Sequence, residues 1–150
     1  MSQAQKLRIA QNICRYKFKS DDLLWEALQA AGSDVLTLNG RILTGGNKPL
    51  AGIGDAVINL ATQLHCYQKG FTVGETSTFR SLQVSNHRFA LLFDQAGLTF
   101  CINANPSQNG MVSPSIKATT LEAIIGAVFK DGGDGGFKAA TMVMGNLRIL

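Results

Sequence analysis

An all-α bundle is what this sequence predicts, and three observations carry that expectation. Leu50, Ile53, Val57, Leu60 and Leu64 recur at steps of three and four, which lines them along one face of a long helix. Ala118–Val128 is a second apolar helical stretch, and each stretch encloses a single acid, Asp55 in the first and Glu122 in the second. Caps and breakers punctuate the rest of the chain: Ser20 before Asp21 and Asp22, Lys69-Gly70, Ser85-Asn86, Gly97 and Pro114. With 150 residues the chain is long enough to bury its own core, so one domain over 1–150 is expected.

Taken in order, residues 3–15 predict a first helix with Leu7, Ile9, Ala10 and Ile13 as its apolar positions. Tyr16 and Phe18 then anchor a short basic connection. A second helix runs over 21–31, opened by two acids that suit the positive end of its dipole. Asn39-Gly40 between Val35–Leu38 and Arg41–Thr44 is a hairpin signal, so a small β-hairpin near 35–44 is allowed for. Pro49 suits a first helical turn, and the helix that holds Asp55 extends to about Gln68. Residues 71–76 read as loop, 77–84 as a short helix or turn, and 86–96 as a helix ended by Gly97. After an apolar link at 98–102, Asn103–Ser113 is polar loop with Pro106 and Gly110. The Glu122 helix spans 115–130, Asp131–Gly136 turn the chain, and 137–148 form a last helix. Gly52 and Gly54 weaken helix propensity, and a close helix–helix approach is the simplest reason to keep them.

Composition narrows the function classes. The net charge of +4 and pI of about 9.2 are mildly basic and compatible with a polyanionic partner. No apolar run is long enough to span a bilayer, and the N-terminus lacks a secretory apolar core, so an intracellular protein is expected, cytoplasmic or nuclear. The first nineteen residues hold Lys6, Arg8, Arg15, Lys17 and Lys19 and no acid, as a mitochondrial address would; the solvated face of a first helix is the preferred reading. Cys14, Cys66 and Cys101 are odd in number and widely spaced, without a CxxC, which fits buried free thiols rather than a zinc or redox pair. Gly45-Gly46-Asn47-Lys48 lacks the GxxxxGK[ST] spacing, and Gly52-x-Gly54 lacks a third glycine and a preceding strand, so neither phosphate-binding loop is present.

Four segments resemble the ribonuclease III family, in the family's order. Leu50-Ala51-Gly52-Ile53-Gly54-Asp55-Ala56-Val57 resembles its signature E-x-L-E-F-L-G-D-A-[VL]. Arg80 with Val84-Ser85-Asn86 and Phe89-Ala90 resembles R-x-x-L-V-S-N-x-x-L-A, and Glu122–Phe129 with Asp131-Gly132-Gly133 resembles E-A-[LI]-I-G-A-[VI]-[YF]-x-D-G-G. Tyr16-x-Phe18 followed by Leu23-Leu24 and Glu26-Ala27-Leu28 resembles its usual opening, and the short, stand-alone fungal members look most similar. The resemblance implies the helical bundle of the endonuclease domain without a double-stranded-RNA-binding domain, a homodimer, and cleavage of double-stranded RNA with Mg²⁺ (Mn²⁺ a possible substitute). It puts Asp55 and Glu122 at metal-binding, catalytic positions. The family's other acids fall on Ala51, Thr119 and Lys48, and a further one on Val73, with Glu75 close by.

Mg²⁺ is commonly held by one or two carboxylates together with phosphates and waters, so Asp55 and Glu122 form a minimal site with weakened metal affinity. Thr119, nearly one turn before Glu122, offers a hydroxyl that could orient water and is a third catalytic candidate. Asn86, Arg80, Lys48 and Lys117 are the candidates for RNA contact, with Arg41, Lys69 and Arg88 as further cations; Leu50, Ile53 and Gly54 are the candidates for the dimer interface. Plainer readings stand beside these. Asp55 could pair with Lys48 or Arg80, Glu122 could bond backbone at a helix start, Asn86 could be a helix cap, and Asp131 could cap or turn the chain. His65 and His87 have no metal-ligand spacing. Ala51, Thr119 and Lys48 also suit a catalytically inactive RNA-binding or ribosome-associated structural member, and a dimerisation scaffold is a weaker third reading.

Overall fold

In the computed structural model, which describes residues 1–108 and 111–150, seven α-helices form a bundle whose central helix is apolar on nearly every side. That central helix is α6 (Pro114–Asp131); Ala118, Thr120, Leu121 and Ala123–Val128 are all buried. A helix without a polar face must be enclosed, and α2 (Asp21–Ala27), α3 (Lys48–Gln68), α5 (Asn86–Ala96) and α7 (Gly136–Asn146) enclose it. Phe89, Phe93, Leu24, Leu28, Ile58, Leu121, Ile124, Ile125 and Met144 fill the space between them. α1 (Gln3–Cys14) lies across one end, capped by Ser2, whose hydroxyl accepts from the Gln5 N–H at 3.1 Å.

The expected hairpin is present and small. β1 (Thr37–Leu38) pairs antiparallel with β2 (Arg41–Ile42), Leu38 opposite Arg41, through a two-residue turn. Asn39 and Gly40 both have positive φ, 52° and 73°, as a tight turn that follows the strand twist requires.

Three sequence expectations need correction. Residues 71–76 are not all loop, because α4 runs from Val73 to Gln83. Thr72 and Glu75 form a reciprocal capping box there: the Glu75 carboxylate accepts from the Thr72 N–H at 2.8 Å, and the Thr72 hydroxyl accepts from the Glu75 N–H at 3.1 Å. α2 stops at Ala27 rather than near 31, because the following backbone turns to bond the 103 segment; the Ala30 N–H donates to the Asn103 carbonyl at 3.0 Å. The apolar stripe of α3 is also rotated from its predicted register. Leu50 and Val57 face inward with Ala51, Gly54, Ile58 and Ala61, whereas Leu60 and Leu64 are 52% and 42% exposed. Gly54 stands on the inward face because α6 passes too close there for any side chain. Gly110, placed by the sequence in a polar loop, lies outside the described residues.

Candidate active site

The site begins with two glycines. A Cβ on Gly54 would sit 1.7 Å from the Glu122 carbonyl oxygen, and a Cβ on Gly126 would sit 2.1 Å from that of Leu50. α3 and α6 therefore cross backbone to backbone at residues 50–54 and 122–126, which only glycine permits. The predicted reason for a glycine pair holds for Gly54. It fails for Gly52, where a Cβ would meet nothing within 4 Å. Gly126 is the residue that sequence reasoning missed; its position one turn after Glu122, matching Gly54 beside Asp55, was the available signal.

The crossing brings the two acids face to face. Asp55 is exposed on α3, half-buried Glu122 lies on α6, and the two carboxyl groups come within hydrogen-bonding reach. Burial, with the Asp55 carboxylate beside it, pushes the Glu122 carboxyl up to about 7. Neither plainer reading describes them. Among the described residues Asp55 forms no ion pair with Lys48 or Arg80, and Glu122 lies in mid-helix rather than at a start. Half-buried Thr119 shares a face with Glu122, three residues away, and Ala51 is buried against the core. Among the described residues no third histidine, cysteine or acid joins the pair. Two carboxylates that repel one another fit a hard divalent cation such as Mg²⁺.

The cationic candidates separate into free and engaged groups. Lys48 is exposed at the start of α3, two turns before Asp55 on the same face. Arg80 donates to the Gln63 Oε1 at 2.5 Å, while its buried Nε has no acceptor among the described residues. Lys117 is engaged within the chain: its ammonium is 2.9 Å from the Asp94 carboxylate, which Thr99 and Lys117 together hold below the usual carboxylate range. Arg88 spans the Gln83, Arg148 and Ile149 carbonyls at 2.7–3.0 Å and fastens the C-terminus. Arg41 pairs with the buried Glu26. Asn86 is exposed in the first turn of α5; Ser85 is the cap, its hydroxyl accepting from the Arg88 N–H at 3.1 Å. Glu75 is committed to its capping box, and Val73 is 90% exposed.

Other residues fall in structural places. Asp131 is a buried clamp that accepts from the Tyr16 hydroxyl at 2.7 Å and from the Lys19 and Ser20 N–H groups at 2.9 Å. Burial alone would raise its pKa, but these hydrogen bonds hold the carboxyl below its usual value. His65 stacks on Phe79 at 5.3 Å, and the three cysteines are free and buried, as expected. Of the predicted dimer residues, Leu50 and Gly54 face the core of their own chain and offer no surface to a second copy. Ile53 instead lines an open apolar hollow of about 540 Å³ with Pro49, Gly52, Ala56, Leu60, Phe129 and Phe137. No helix of the described residues is long and apolar enough to cross a membrane.

The comparisons with known proteins agree with this geometry. A family model for the ribonuclease III domain matches residues 48–133, which contain both acids and both crossing glycines. The chain is 30% identical over 125 residues to ribonuclease 3 of Campylobacter fetus, covering 79% of this chain and 52% of that protein; it thus spans about half the length of that relative. Two solved structures of the Campylobacter jejuni ribonuclease III nuclease domain are also similar. One, described for flexibility in its region of dimer formation, has a TM-score of 0.77, 27% identity, and coverage of 96% of this chain and 95% of that one. The other, at 2.2 Å resolution, has a TM-score of 0.76, 26% identity, and coverage of 99% and 95%.

Proposed function

Because the chain belongs to the ribonuclease III domain family, we propose that it is a Mg²⁺-dependent endoribonuclease acting on double-stranded RNA through a two-carboxylate centre. The observation that carries this reading is the Asp55–Glu122 pair, held across the Gly54–Gly126 crossing and burdened by its own repulsion. Asp55 and Glu122 would hold Mg²⁺, whose chemistry when bound is Lewis acidity toward a phosphodiester and a more nucleophilic water. Glu122 can gain or lose a proton near neutrality when no cation is bound, since its carboxyl titrates at about 7. Thr119, one turn before Glu122, presents a hydroxyl able to orient water. Lys48, Lys69 and Arg80 are the cations left to meet phosphate along α3, and Asn86 is an exposed polar contact.

The active form would be a homodimer closed over the hollow at Ile53 and Leu60. That face leaves apolar surface in water, and a second copy would cover it. A second reading has one specific observation in its favour, the lack of a third acid at the pair among the described residues. Under it the chain binds RNA or serves as a structural subunit without cutting.

The test is cleavage of a long double-stranded RNA across a Mg²⁺ series, wild type against Glu122→Gln, with sedimentation of wild type and Leu60→Glu. Metal-dependent cleavage that vanishes in Glu122→Gln supports the nuclease. Intact RNA at every Mg²⁺ concentration, with binding unaffected by Glu122→Gln, establishes the non-catalytic reading. A wild type that sediments as a monomer removes the dimer.

A further inference from the structure

α1 and the turn after it hold a concentration of positive charge that the carboxylate pair does not use. Lys6, Arg8, Arg15, Lys17 and Lys19 fall in the first nineteen residues without an acid, while the rest of the chain has nine basic residues against ten acids. The net charge of +4 is therefore set by this segment alone. α1 packs mainly against α2, α7 and the turn at 99–101.

The charges are arranged rather than scattered. Arg8 and Arg15 are seven residues apart on one helical face, about 10 Å along the axis, with Asn12 between them. With Lys17 they line an open cleft of about 670 Å³, a volume typical of ligand sites. Neighbouring polar groups are occupied: the Gln11 amide spans the Leu7 carbonyl and the Phe18 N–H, and the Tyr16 hydroxyl donates to Asp131. Asp21 is the one acid on the rim. Arg41, Arg88 and Lys117 are spent on protein acceptors, and Lys6 donates to the Ile102 carbonyl. Arg8, Arg15 and Lys17, by contrast, make no side-chain hydrogen bond or ion pair among the described residues. Arg15 also sits at φ 53°, ψ 43°, the left-handed helix end where glycine or asparagine would be less strained.

Two guanidinium groups and an ammonium, unpaired and spaced along a cleft, match a row of phosphates. We propose that this face of α1 is a second contact surface for the phosphodiester backbone of double-stranded RNA, separate from the carboxylate pair. The proposal rests on the reading of the chain as acting on RNA.

The test is equilibrium binding of a blunt RNA duplex to the full chain by fluorescence anisotropy, in metal-free buffer so that nothing is cut, across a salt series. Wild type is compared with Arg8→Gln/Lys17→Gln, with Arg15→Gly, and with Lys138→Gln as an exposed control on α7. Each phosphate contact adds roughly 0.9 to the slope of log affinity against log salt. The double variant should lose roughly two from that slope and at least tenfold in affinity at low salt. Arg15→Gly should lose roughly one while melting no lower than wild type, which separates lost contact from lost fold. Lys138→Gln should match wild type. If wild type binds the duplex and the α1 variants keep its slope, this surface is refuted while the RNA reading stands. If wild type binds no duplex at any salt, the RNA reading fails and takes this surface with it.

Discussion

Gly54→Ala and Gly52→Ala place the same methyl group two residues apart on α3 and should move stability in opposite directions. The helix-propensity term is common to both and favours alanine by about 0.5–1 kcal/mol. At Gly52 the new Cβ meets nothing within 4 Å, so that gain is kept. At Gly54 it would sit 1.7 Å from the Glu122 carbonyl oxygen, and ordinary contact begins at 3.4 Å, so α3 and α6 must part by about half that distance. Both colliding groups are backbone, and no rotamer change can relieve them. Overpacking of this kind costs typically 1–3 kcal/mol, and the absence of a flexible neighbour puts it at or above the upper end. The net expectation for Gly54→Ala is a loss of about 2–3 kcal/mol, or roughly 5–10 °C in Tm for a chain of this length. Gly52→Ala should gain roughly 2–4 °C. The assay is thermal and urea unfolding of both variants beside wild type in dilute, metal-free buffer. Equal shifts of the same sign would refute the backbone crossing, and with it the account of how Asp55 and Glu122 are brought together.

Three further expectations concern protonation, metal and capping. Glu122 has a folded pKa raised to about 7 from an ordinary 4.5, so its contribution to stability is fully present below 4.5 and lost as the pH rises through 7. Glu122→Gln should therefore be more stable than wild type by about 1 kcal/mol at pH 8 without metal, after allowing for its partial exposure, and the gap should vanish near pH 4 in unfolding titrations. In the same assay Mg²⁺ at pH 8 should raise the Tm of wild type and leave that of Glu122→Gln nearly unmoved. Asp131 has the opposite sign: its depressed pKa adds stability above the ordinary carboxylate value that is lost as the pH falls through the folded one. Asp131→Asn should cost about 2–3 kcal/mol at pH 7 in urea unfolding and progressively less in acid. Thr72→Ala should cost about 1 kcal/mol by loss of the α4 cap, measured the same way.

Local signals in the sequence suffice for the hairpin and for most of the helices, α4 and the end of α2 excepted. Proline, serine and glycine at their ends report on the few residues beside them, and the Asn39-Gly40 turn is a strictly local choice. The start of α4 is hard to read because Gly74 and a polar first turn hide its apolar face, although Thr72 and Glu75 carry a capping-box spacing. The orientation of α3 was not legible from periodicity, since Leu60 and Leu64 repeat as regularly as the residues that are buried. The side turned inward was set by how closely α6 could approach. Asp55 and Glu122 were found by motif. The fate of Lys117, Arg88 and Arg41 depends chiefly on partners from 15 to 61 residues away, with only the Arg88–Gln83 contact local, and that of Asp131 on partners from 111 to 115 residues away; sequence spacing reports nothing about such distant pairs.

The two acids ride on α3 and α6, the pair of helices joined by the most extensive packing in the chain. Proteins usually open piecemeal, and sites that must flex sit in the parts that open most easily. Here the carboxylates cannot separate without unseating the central helix, so local opening at the site and global unfolding become the same event. Amide hydrogens of residues 56–62 and 121–128 should exchange only through complete unfolding, while those in the first turn of α4 exchange freely. A cation held by the pair would then slow exchange throughout the bundle rather than beside itself.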